Sequence, residues 1–300
     1  MESFIKPQEY DYNELRRAIE ALTDEYTFLQ SGVLGRSCAG RNIPYLKIGR
    51  KKEYVLFAAG VHGSEHITTT VLLLFIEELC RAIKDGGFVE GVSARHALKN
   101  AGIIFVPSVN PDGAEISIHG APAAGNMLTK IERLSKGDYK HWNANLRGVD
   151  INHNFDAGWQ VLSNREKQAG IYGPAPTRFG GFSPMSEPET LALSELCNTY
   201  LIRHAVALHS QGEVIYWNYG SVPIPRAQKM AEIMATSSGY ALDVPVGLAL
   251  GGGFKDWFIK TYSRPGFTVE IGKGENPLPI TDSSEIYLKI REMLMLTAIM

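Results

Sequence analysis

Short apolar runs alternate with helical repeats along this chain. The run Tyr54–Ala59 is typical of a strand buried on both faces, and Gly60 ends it. Residues 68–83 then repeat apolar side chains at helical spacing. The same succession of strand and helix continues to residue 298. Such alternation indicates an α/β fold, in which helices cover both faces of a largely parallel sheet.

The remaining elements follow from the same patterns. The predicted helices span 9–30, 187–200, 227–237 and 284–298, and the predicted strands span 43–48, 103–107, 205–209, 214–217 and 267–271. Ser186 is a candidate N-cap for the helix over 187–200, with Glu189 three positions later. Residues 114–148 show no period, and a long irregular stretch of this kind is usually functional or mobile. No repeat or linker divides the chain, so we predict one domain over 1–300.

Composition narrows the class of protein. Thirty basic and 32 acidic residues give a net charge of −2, which argues against a nucleic-acid partner. Cys38, Cys80 and Cys197 are too few and too widely spaced for a disulfide framework or a thiolate metal site. The longest aliphatic run, Val71–Ile76, is far shorter than the ~20 residues that span a bilayer. The first ten residues do not resemble a secretory signal, so we expect a cytoplasmic protein with no membrane partner.

Candidate metal ligands follow the predicted strands. His62 and Glu65 are three residues apart just after a strand, and a turn can direct both side chains to one side. His209 stands at the end of another strand. A catalytic zinc takes three nitrogen or oxygen ligands from the protein and keeps one position open. Because ligand sites of α/β folds lie at the carboxyl ends of strands, these three residues are a candidate set.

A second interpretation uses His66. His62, Glu65 and His66 also satisfy the inverted zinc-protease motif His-x-x-Glu-His, in which both histidines bind metal from one continuous helix. Gly63 and Ser64 are poor residues for a helix interior. In this second interpretation His66 replaces His209 as a ligand, and Glu65 is the catalytic base.

Five motifs in sequence order resemble the zinc carboxypeptidases of the carboxypeptidase A type. They are His62-x-x-Glu65, Asn110-Pro-Asp-Gly113, Gly148–Asp156, Ala207-Leu-His-Ser210 and Phe267-Thr-Val-Glu270, and Gly35–Pro44 resembles an early segment of the same family. The resemblance covers roughly residues 10–298. It implies a mixed, mostly parallel eight-stranded sheet with helices on both faces. It also implies that His62, Glu65 and His209 hold one Zn²⁺ per chain and that Glu270 is the catalytic carboxylate. Without the resemblance, the sequence favours a surface carboxylate at a strand end for Glu270.

The departures from the family concern the substrate. Where family exopeptidases clamp the terminal carboxylate with Asn-Arg, this chain has Asn152 and His153. A histidine cannot make the two-pronged contact of a guanidinium. The arginine that usually follows a tryptophan falls on Asn143, and the usual tyrosine falls on Leu248. Ordinary trimming of protein C-termini is therefore not expected.

Two basic residues are candidates for substrate contacts. Lys255 falls at the base of the family's specificity pocket, where a cation favours an acidic substrate side chain. Its alternative is a lysine on a helix surface, which is where most lysines lie. Arg147, four residues after Asn143, is either a replacement for the missing arginine or a solvated loop residue.

The segment Trp142–Asp150 resembles one bacterial branch of the family, the γ-D-glutamyl-L-diamino acid peptidases. Those enzymes cut cell-wall peptides between D-glutamate and meso-diaminopimelate, which carries an extra carboxylate. Lys255 and His153 suit such a substrate. The sequence therefore predicts a zinc peptidase for small muropeptides, and it specifies no oligomeric state. The alternatives are a zinc exo-carboxypeptidase or related deacylase for another acidic substrate, and a non-catalytic binding module.

Overall fold

The computed structural model describes residues 3–220 and 224–300. The strands in these ranges are β1 (Leu29–Arg36), β2 (Asn42–Ile48), β3 (Glu53–Ala58), β4 (Phe88–Val89), β5 (Val92–Ser93), β6 (Gly102–Val106), β7 (Leu201–His209), β8 (Val214–Tyr216), β9 (Ala241–Asp243) and β10 (Gly266–Glu270). The helices there are α1 (Tyr12–Glu25), α2 (Ile67–Asp85), α3 (Ala94–Ala97), α4 (Pro111–His119), α5 (Leu128–Ser135), α6 (Trp159–Gln168), α7 (Pro188–Thr199), α8 (Ala227–Ser238), α9 (Phe254–Tyr262) and α10 (Ser283–Ile299). Short 3-10 turns connect several of them.

Eight strands form one mixed sheet in the order β1-β2-β6-β3-β7-β10-β8-β9. The four central strands, β6, β3, β7 and β10, are mutually parallel. Antiparallel pairs join β1 to β2, β2 to β6, and β10 to β8. The predicted mixed, mostly parallel eight-stranded sheet is confirmed.

Strand β3 shows why its sequence is apolar at successive positions. Val55 and Phe57 belong to one hydrophobic core, and Leu56 and Ala58 belong to the other. Because side chains alternate across a strand, a strand covered by helices on both sides needs apolar residues throughout. Helices α1, α2, α8 and α10 contribute to the first core, while α7 and α9 contribute to the second.

Three sequence-based predictions were wrong in detail. The predicted helix over 9–30 is α1 followed by β1, an edge strand in which half of the residues are exposed and no continuous apolar signal is present. Part of the 114–148 stretch is helical, since α4, α5 and a 3-10 turn over Ala121–Met127 occupy it. Ser186 does not cap α7. Its hydroxyl donates to the carboxylate of Glu187, which is itself the N-cap residue.

The parallel centre of the sheet positions the polar groups. Strands β3, β7 and β10 run side by side in one direction, so their carboxyl ends share one edge of the sheet. The chain leaves β3 toward His62, and β7 and β10 end at His209 and Glu270. Residues that are far apart in sequence therefore converge at this edge.

Candidate active site

A tight turn after β3 directs His62 and Glu65 to the same side. Residues Gly63–Glu65 form a 3-10 turn, closed by the Glu65 N–H donating to the His62 carbonyl at 3.2 Å. The His62 Nδ1 atom lies 2.8 Å from Glu65 Oε1. Gly63 is required because a Cβ at this position would fall on the Gly113 carbonyl and 2.5 Å from the Trp142 carbonyl oxygen.

His209 joins this pair from the neighbouring strand. Its Nδ1 atom lies 3.0 Å from Glu65 Oε2 and 3.3 Å from His62 Nδ1. Ligand atoms of the three residues all fall within 4.8 Å of one another. The Ser210 backbone N–H donates to Glu65 Oε2 at 3.2 Å and holds that carboxylate in place. The structure thus brings together the three side chains predicted to hold zinc.

Asp150 orients His62 from the opposite side of the imidazole ring. Its Oδ1 lies 3.1 Å from His62 Nε2, and its Oδ2 accepts the Arg178 backbone N–H at 2.9 Å. Burial opposes ionisation of Asp150, but the neighbouring His62 and His153 outweigh it and hold the pKa of this carboxyl well below its usual range. An ionised Asp150 accepts the Nε2 proton of His62. The Nδ1 lone pair then faces Glu65 and His209.

This donor set fits a divalent cation. Two imidazole Nδ1 atoms and a carboxylate converge, and a carboxylate oxygen 2.8 Å from an imidazole lone pair requires a positive charge or a proton between them. Burial raises the pKa of Glu65, yet His62 and His209 lower it to about 2, so the carboxylate is ionised. Two histidines and one glutamate are a known ligand set of catalytic zinc. The two ligand histidines differ in their outer partners. Asp150 accepts a hydrogen bond from His62, whereas the buried His209 Nε2 has no hydrogen-bond partner among the described residues.

The structure does not bring His66 to this group. His66 lies between the 3-10 turn and the first residue of α2, so the continuous helix of the alternative interpretation is not present. Its Nε2 atom lies 3.7 Å from Glu9 Oε1.

Glu270 lies beside the cluster. It ends β10 in register with His209 on β7 and is half-buried. Burial and the negative charge of Glu65 raise the pKa of Glu270 to about 8, and His62 partly opposes this shift. A carboxyl with a raised pKa next to a cation site is suited to proton transfer. Glu270 does lie at a strand end, but it is half-buried beside the metal ligands and is not an exposed surface carboxylate.

The predicted substrate residues make different contacts. Asn143 accepts a hydrogen bond from the Ser64 hydroxyl, inside the turn that carries the metal ligands. Asn152 Oδ1 accepts the Phe254 N–H at 3.1 Å and so faces the start of α9. Leu248 lies half-buried in a 3-10 turn over Gly247–Ala249.

The structure shows what surrounds Lys255 and Arg147, for each of which the sequence left two interpretations open. Lys255 is buried, so the surface alternative is wrong, but its cation is paired with Asp256 and also donates to the Asn218 carbonyl at 2.6 Å. Arg147 is half-exposed, and its guanidinium lies 3.6 Å from Glu187. The structure therefore engages Arg147 with Glu187, as expected of a loop residue and not of a substitute clamp.

Sequence reasoning missed several partners. Glu166 contacts His153, Asp256 pairs with Lys255, and Arg178 contributes a backbone N–H to Asp150. Asp256 could have been suspected because it follows Lys255 directly. Glu166 and Arg178 lie at unremarkable positions and carry no motif.

The sequence profile described as zinc carboxypeptidase matches residues 15–294 of this chain. The chain belongs to the zinc carboxypeptidase family. Members of this family are zinc metallopeptidases that use one zinc, and this chain is a zinc metallopeptidase. No helix among the described residues has both the length and the apolarity needed to cross a membrane.

Similar proteins support this placement. Gamma-D-glutamyl-L-diamino acid endopeptidase 1 of Lysinibacillus sphaericus is 35% identical over 283 residues, which cover 93% of this chain and 70% of that protein. The structure resembles carboxypeptidase A from Helicoverpa armigera with a TM-score of 0.74 at 20% identity, covering 99% of this chain and 74% of that one. It also resembles murein-tripeptide amidase MpaA from Escherichia coli O157, with a TM-score of 0.55 at 22% identity over 88% and 91% of the two chains. These two structural likenesses show the fold.

Proposed function

We propose that this protein is a zinc-dependent peptidase that hydrolyses the bond between the γ-carboxyl of D-glutamate and meso-diaminopimelate in cell-wall peptides. The carrying observation is the 35% identity, over 93% of the chain, to a protein named for γ-D-glutamyl-L-diamino acid endopeptidase activity. The substrate region agrees, because the residue pair that would clamp a C-terminal carboxylate with an arginine is Asn152 and His153.

In this proposal His62, Glu65 and His209 hold the zinc, and Asp150 keeps the His62 ring oriented. Zinc bound there supplies a Lewis acid that polarises the scissile carbonyl and lowers the pKa of a water toward ~7. Glu270 takes the proton from the attacking water and delivers it to the leaving amine. Burial raises the pKa of Glu270, so its carboxyl takes up a proton readily near neutral pH.

Substrate contacts come from Asn143, Asn152, His153, Leu248 and Lys255. An ammonium has three N–H groups, and Lys255 uses two of them on Asp256 and the Asn218 carbonyl. The third can donate to the distal carboxylate of diaminopimelate. Because Asp256 already balances its charge, Lys255 supplies a directed hydrogen bond and little net attraction. We assign no substrate contact to Arg147, which is engaged with Glu187.

The test is cleavage of the tripeptide L-Ala-γ-D-Glu-meso-diaminopimelate, followed by mass spectrometry. The expected products are L-Ala-D-Glu and free meso-diaminopimelate. Activity should vanish with a chelator and return with Zn²⁺. A peptide ending in an ordinary L-residue serves as the control substrate. Release of that residue without cleavage of the tripeptide would contradict the proposal.

A second candidate is a zinc exo-carboxypeptidase or deacylase for a different acidic C-terminal substrate. Lys255 favours it, because it falls at the position of the family's specificity pocket, where an ammonium suits any carboxylate side chain. Peptides ending in L-Glu and L-Gln, otherwise identical, separate the two candidates. A strong preference for the L-Glu peptide over both the L-Gln peptide and the muropeptide would support this second function.

We also propose that the protein acts in the cytoplasm on soluble muropeptide fragments. Its three cysteines are free, and Cys80 and Cys197 are buried, which suits a reducing compartment. Fractionation of intact cells with an antibody should find the protein in the cytosolic fraction. Accumulation in the culture medium of unlysed cells would contradict this location.

A further inference from the structure

Asn276 is joined to Ser210 by two reciprocal hydrogen bonds. The Ser210 hydroxyl donates to Asn276 Oδ1 at 2.7 Å, and Asn276 Nδ2 donates to the Ser210 carbonyl at 2.6 Å. Because a carbonyl oxygen only accepts hydrogen bonds, the amide nitrogen must face it, and the amide oxygen then faces the hydroxyl. One side chain thus holds both the hydroxyl and the main chain of Ser210.

Ser210 in turn holds the carboxylate of a metal ligand. It is buried and follows His209 directly. Its backbone N–H donates to Glu65 Oε2 at 3.2 Å, and the same oxygen lies 3.0 Å from His209 Nδ1. The N–H and the carbonyl of Ser210 belong to the two planar peptide groups on either side of its Cα. Glu65 contacts the first group and Asn276 contacts the second, so the conformation of Ser210 is set from both sides.

The contact between Asn276 and Ser210 is part of a seam between two loops. The first loop, 210–213, follows β7, and the second, 271–276, follows β10. Two backbone hydrogen bonds join the chain along this seam, from the Ile271 N–H to the His209 carbonyl at 2.7 Å and from the Gly212 N–H to the Gly272 carbonyl at 2.9 Å. Ser210 lies between these two bonds. Asn276 therefore holds the first loop at the point where it meets the metal ligands.

We infer that Asn276 is a positioning residue of the zinc site, which acts through Ser210 to keep the Glu65 carboxylate in its ligand orientation. This inference rests on the zinc site of the proposed function and not on its substrate. Without Asn276 Nδ2, the carbonyl of the buried Ser210 loses its donor, and because an unpaired buried polar group is costly, the peptide turns. The Ser210 N–H then moves off Glu65 Oε2, and the carboxylate loses the contact that fixes it.

The experiment measures the zinc Kd of Asn276→Ala by competition with a chromophoric chelator. The substitution removes both hydrogen bonds and should weaken zinc binding about tenfold, which is the lower end of the effect of losing an outer partner of a metal ligand. Co²⁺ in place of zinc gives a second readout, because its absorption bands depend on coordination geometry. These bands should shift at saturating Co²⁺. A wild-type zinc Kd in the folded variant would overturn the inference, whatever its thermal stability.

Asn276→Asp separates the lost hydrogen bond from a change in charge. An aspartate has nearly the same shape and keeps an acceptor for the Ser210 hydroxyl, but it has no donor for the Ser210 carbonyl. Its negative charge near a bound cation would by itself tighten zinc binding. Weaker zinc binding in this variant therefore reports the lost hydrogen bond, and tighter binding would contradict the inference.

A double-variant cycle tests the route through Ser210. Ser210→Ala removes the hydroxyl that holds the amide of Asn276 but keeps the backbone N–H and carbonyl, so zinc binding should weaken less than in Asn276→Ala. If Asn276 acts through Ser210, adding Ser210→Ala to Asn276→Ala should not change the zinc Kd further. Effects of the two substitutions that simply add would refute this route.

Asn198→Ala is the matched control. Asn198 accepts a hydrogen bond from the Tyr262 hydroxyl at 2.6 Å, and it lies on α7 just before β7 begins, at the end of that strand opposite His209. The variant should bind zinc as the wild type does, even if its melting temperature falls. A loss of zinc affinity as large as that of Asn276→Ala would mean that general loosening explains both results, and it would overturn the inference.

The two hypotheses fail separately. If the wild type binds zinc but cleaves no diaminopimelate peptide, the proposed function is wrong, and the zinc measurements still decide the role of Asn276. If the tripeptide is cleaved and Asn276→Ala keeps the wild-type zinc Kd, the inference is wrong and the proposed function stands. Should Asn276→Ala not fold, as judged by circular dichroism, Asn276→Asp and Ser210→Ala carry the test.

Discussion

Asp150→Asn isolates the contact that orients the metal ligand His62. The substitution keeps the size of the side chain but leaves one acceptor oxygen where there were two. If that oxygen accepts from His62 Nε2, the new amide nitrogen faces the Arg178 N–H, and two donors oppose each other there. If the amide is turned the other way, its nitrogen faces the Nε2–H of His62, and the two donors oppose each other at that ring. We therefore expect the His62 ring to lose its fixed tautomer.

The expected magnitude follows from the 3.1 Å hydrogen bond between His62 and the buried Asp150. Hydrogen bonds to charged groups contribute about 1.5–3 kcal/mol. Because ~1.4 kcal/mol corresponds to a tenfold change in an equilibrium constant, zinc affinity should fall by roughly 10- to 150-fold. Loss of an outer partner of a metal ligand typically costs about 10- to 100-fold, which agrees.

The assay is zinc binding at pH 7 by competition with a chromophoric chelator. Glu77→Gln is the matched control, because Glu77 is another buried carboxylate, located on α2, that accepts the backbone N–H groups of Phe4 and Ile5. Both variants should lose thermal stability, and Asp150→Asn alone should lose zinc affinity. An unchanged zinc Kd in folded Asp150→Asn would refute the reasoning.

Three further predictions test the site. Glu270→Gln should retain zinc and lower kcat by about 10²- to 10⁴-fold, since the proton acceptor is removed, and near wild-type turnover would exclude its role. His66→Ala should bind zinc as the wild type does, because His66 lies next to Glu9 and outside the ligand cluster. Loss of zinc binding would instead support the His-x-x-Glu-His interpretation. Gly63→Ala should lower the melting temperature strongly and weaken zinc binding, because its Cβ meets the carbonyls of Gly113 and Trp142, and an unchanged melting temperature would show that the turn can move.

Controls keep these outcomes specific. Zinc content by mass spectrometry and circular dichroism on each variant separate loss of metal or fold from loss of chemistry. Gly91→Ala is a matched control for Gly63→Ala as far as space is concerned, because a Cβ there meets nothing within 4 Å; its left-handed backbone, with a φ of 73°, carries a cost of its own.

The sequence predicted the centre of the fold well because buried parallel strands leave a continuous apolar signal. Strand β3 and helix α2 lie within two residues of their predicted bounds. Edge strand β1 was not predicted because only one of its eight residues is buried, so its sequence needs no continuous apolar pattern. Helices α4 and α5 were not predicted because each has only one large apolar residue among its buried residues, Ile116 and Ile131, and both of these lie in a small separate cluster.

The candidate site was predictable where motif residues contact each other locally, and less so where distant partners decide their state. His62 and Glu65 form one turn, so their spacing was informative. The charge of Lys255 is balanced by Asp256, and the ring of His153 is held by Glu166, thirteen positions further along the chain. Neither fact follows from the family resemblance, since both depend on packing among buried side chains.

The positions of His62 and His209 also bear on folding. They are 147 residues apart in sequence, yet they meet because β3 and β7 are neighbours in the sheet. A metal ion bound by both would cross-link the two halves of the chain. The melting temperature should then rise with free zinc concentration, because only the folded chain brings the zinc ligands together. Cellular zinc supply would thus set the lifetime of this protein as well as its activity.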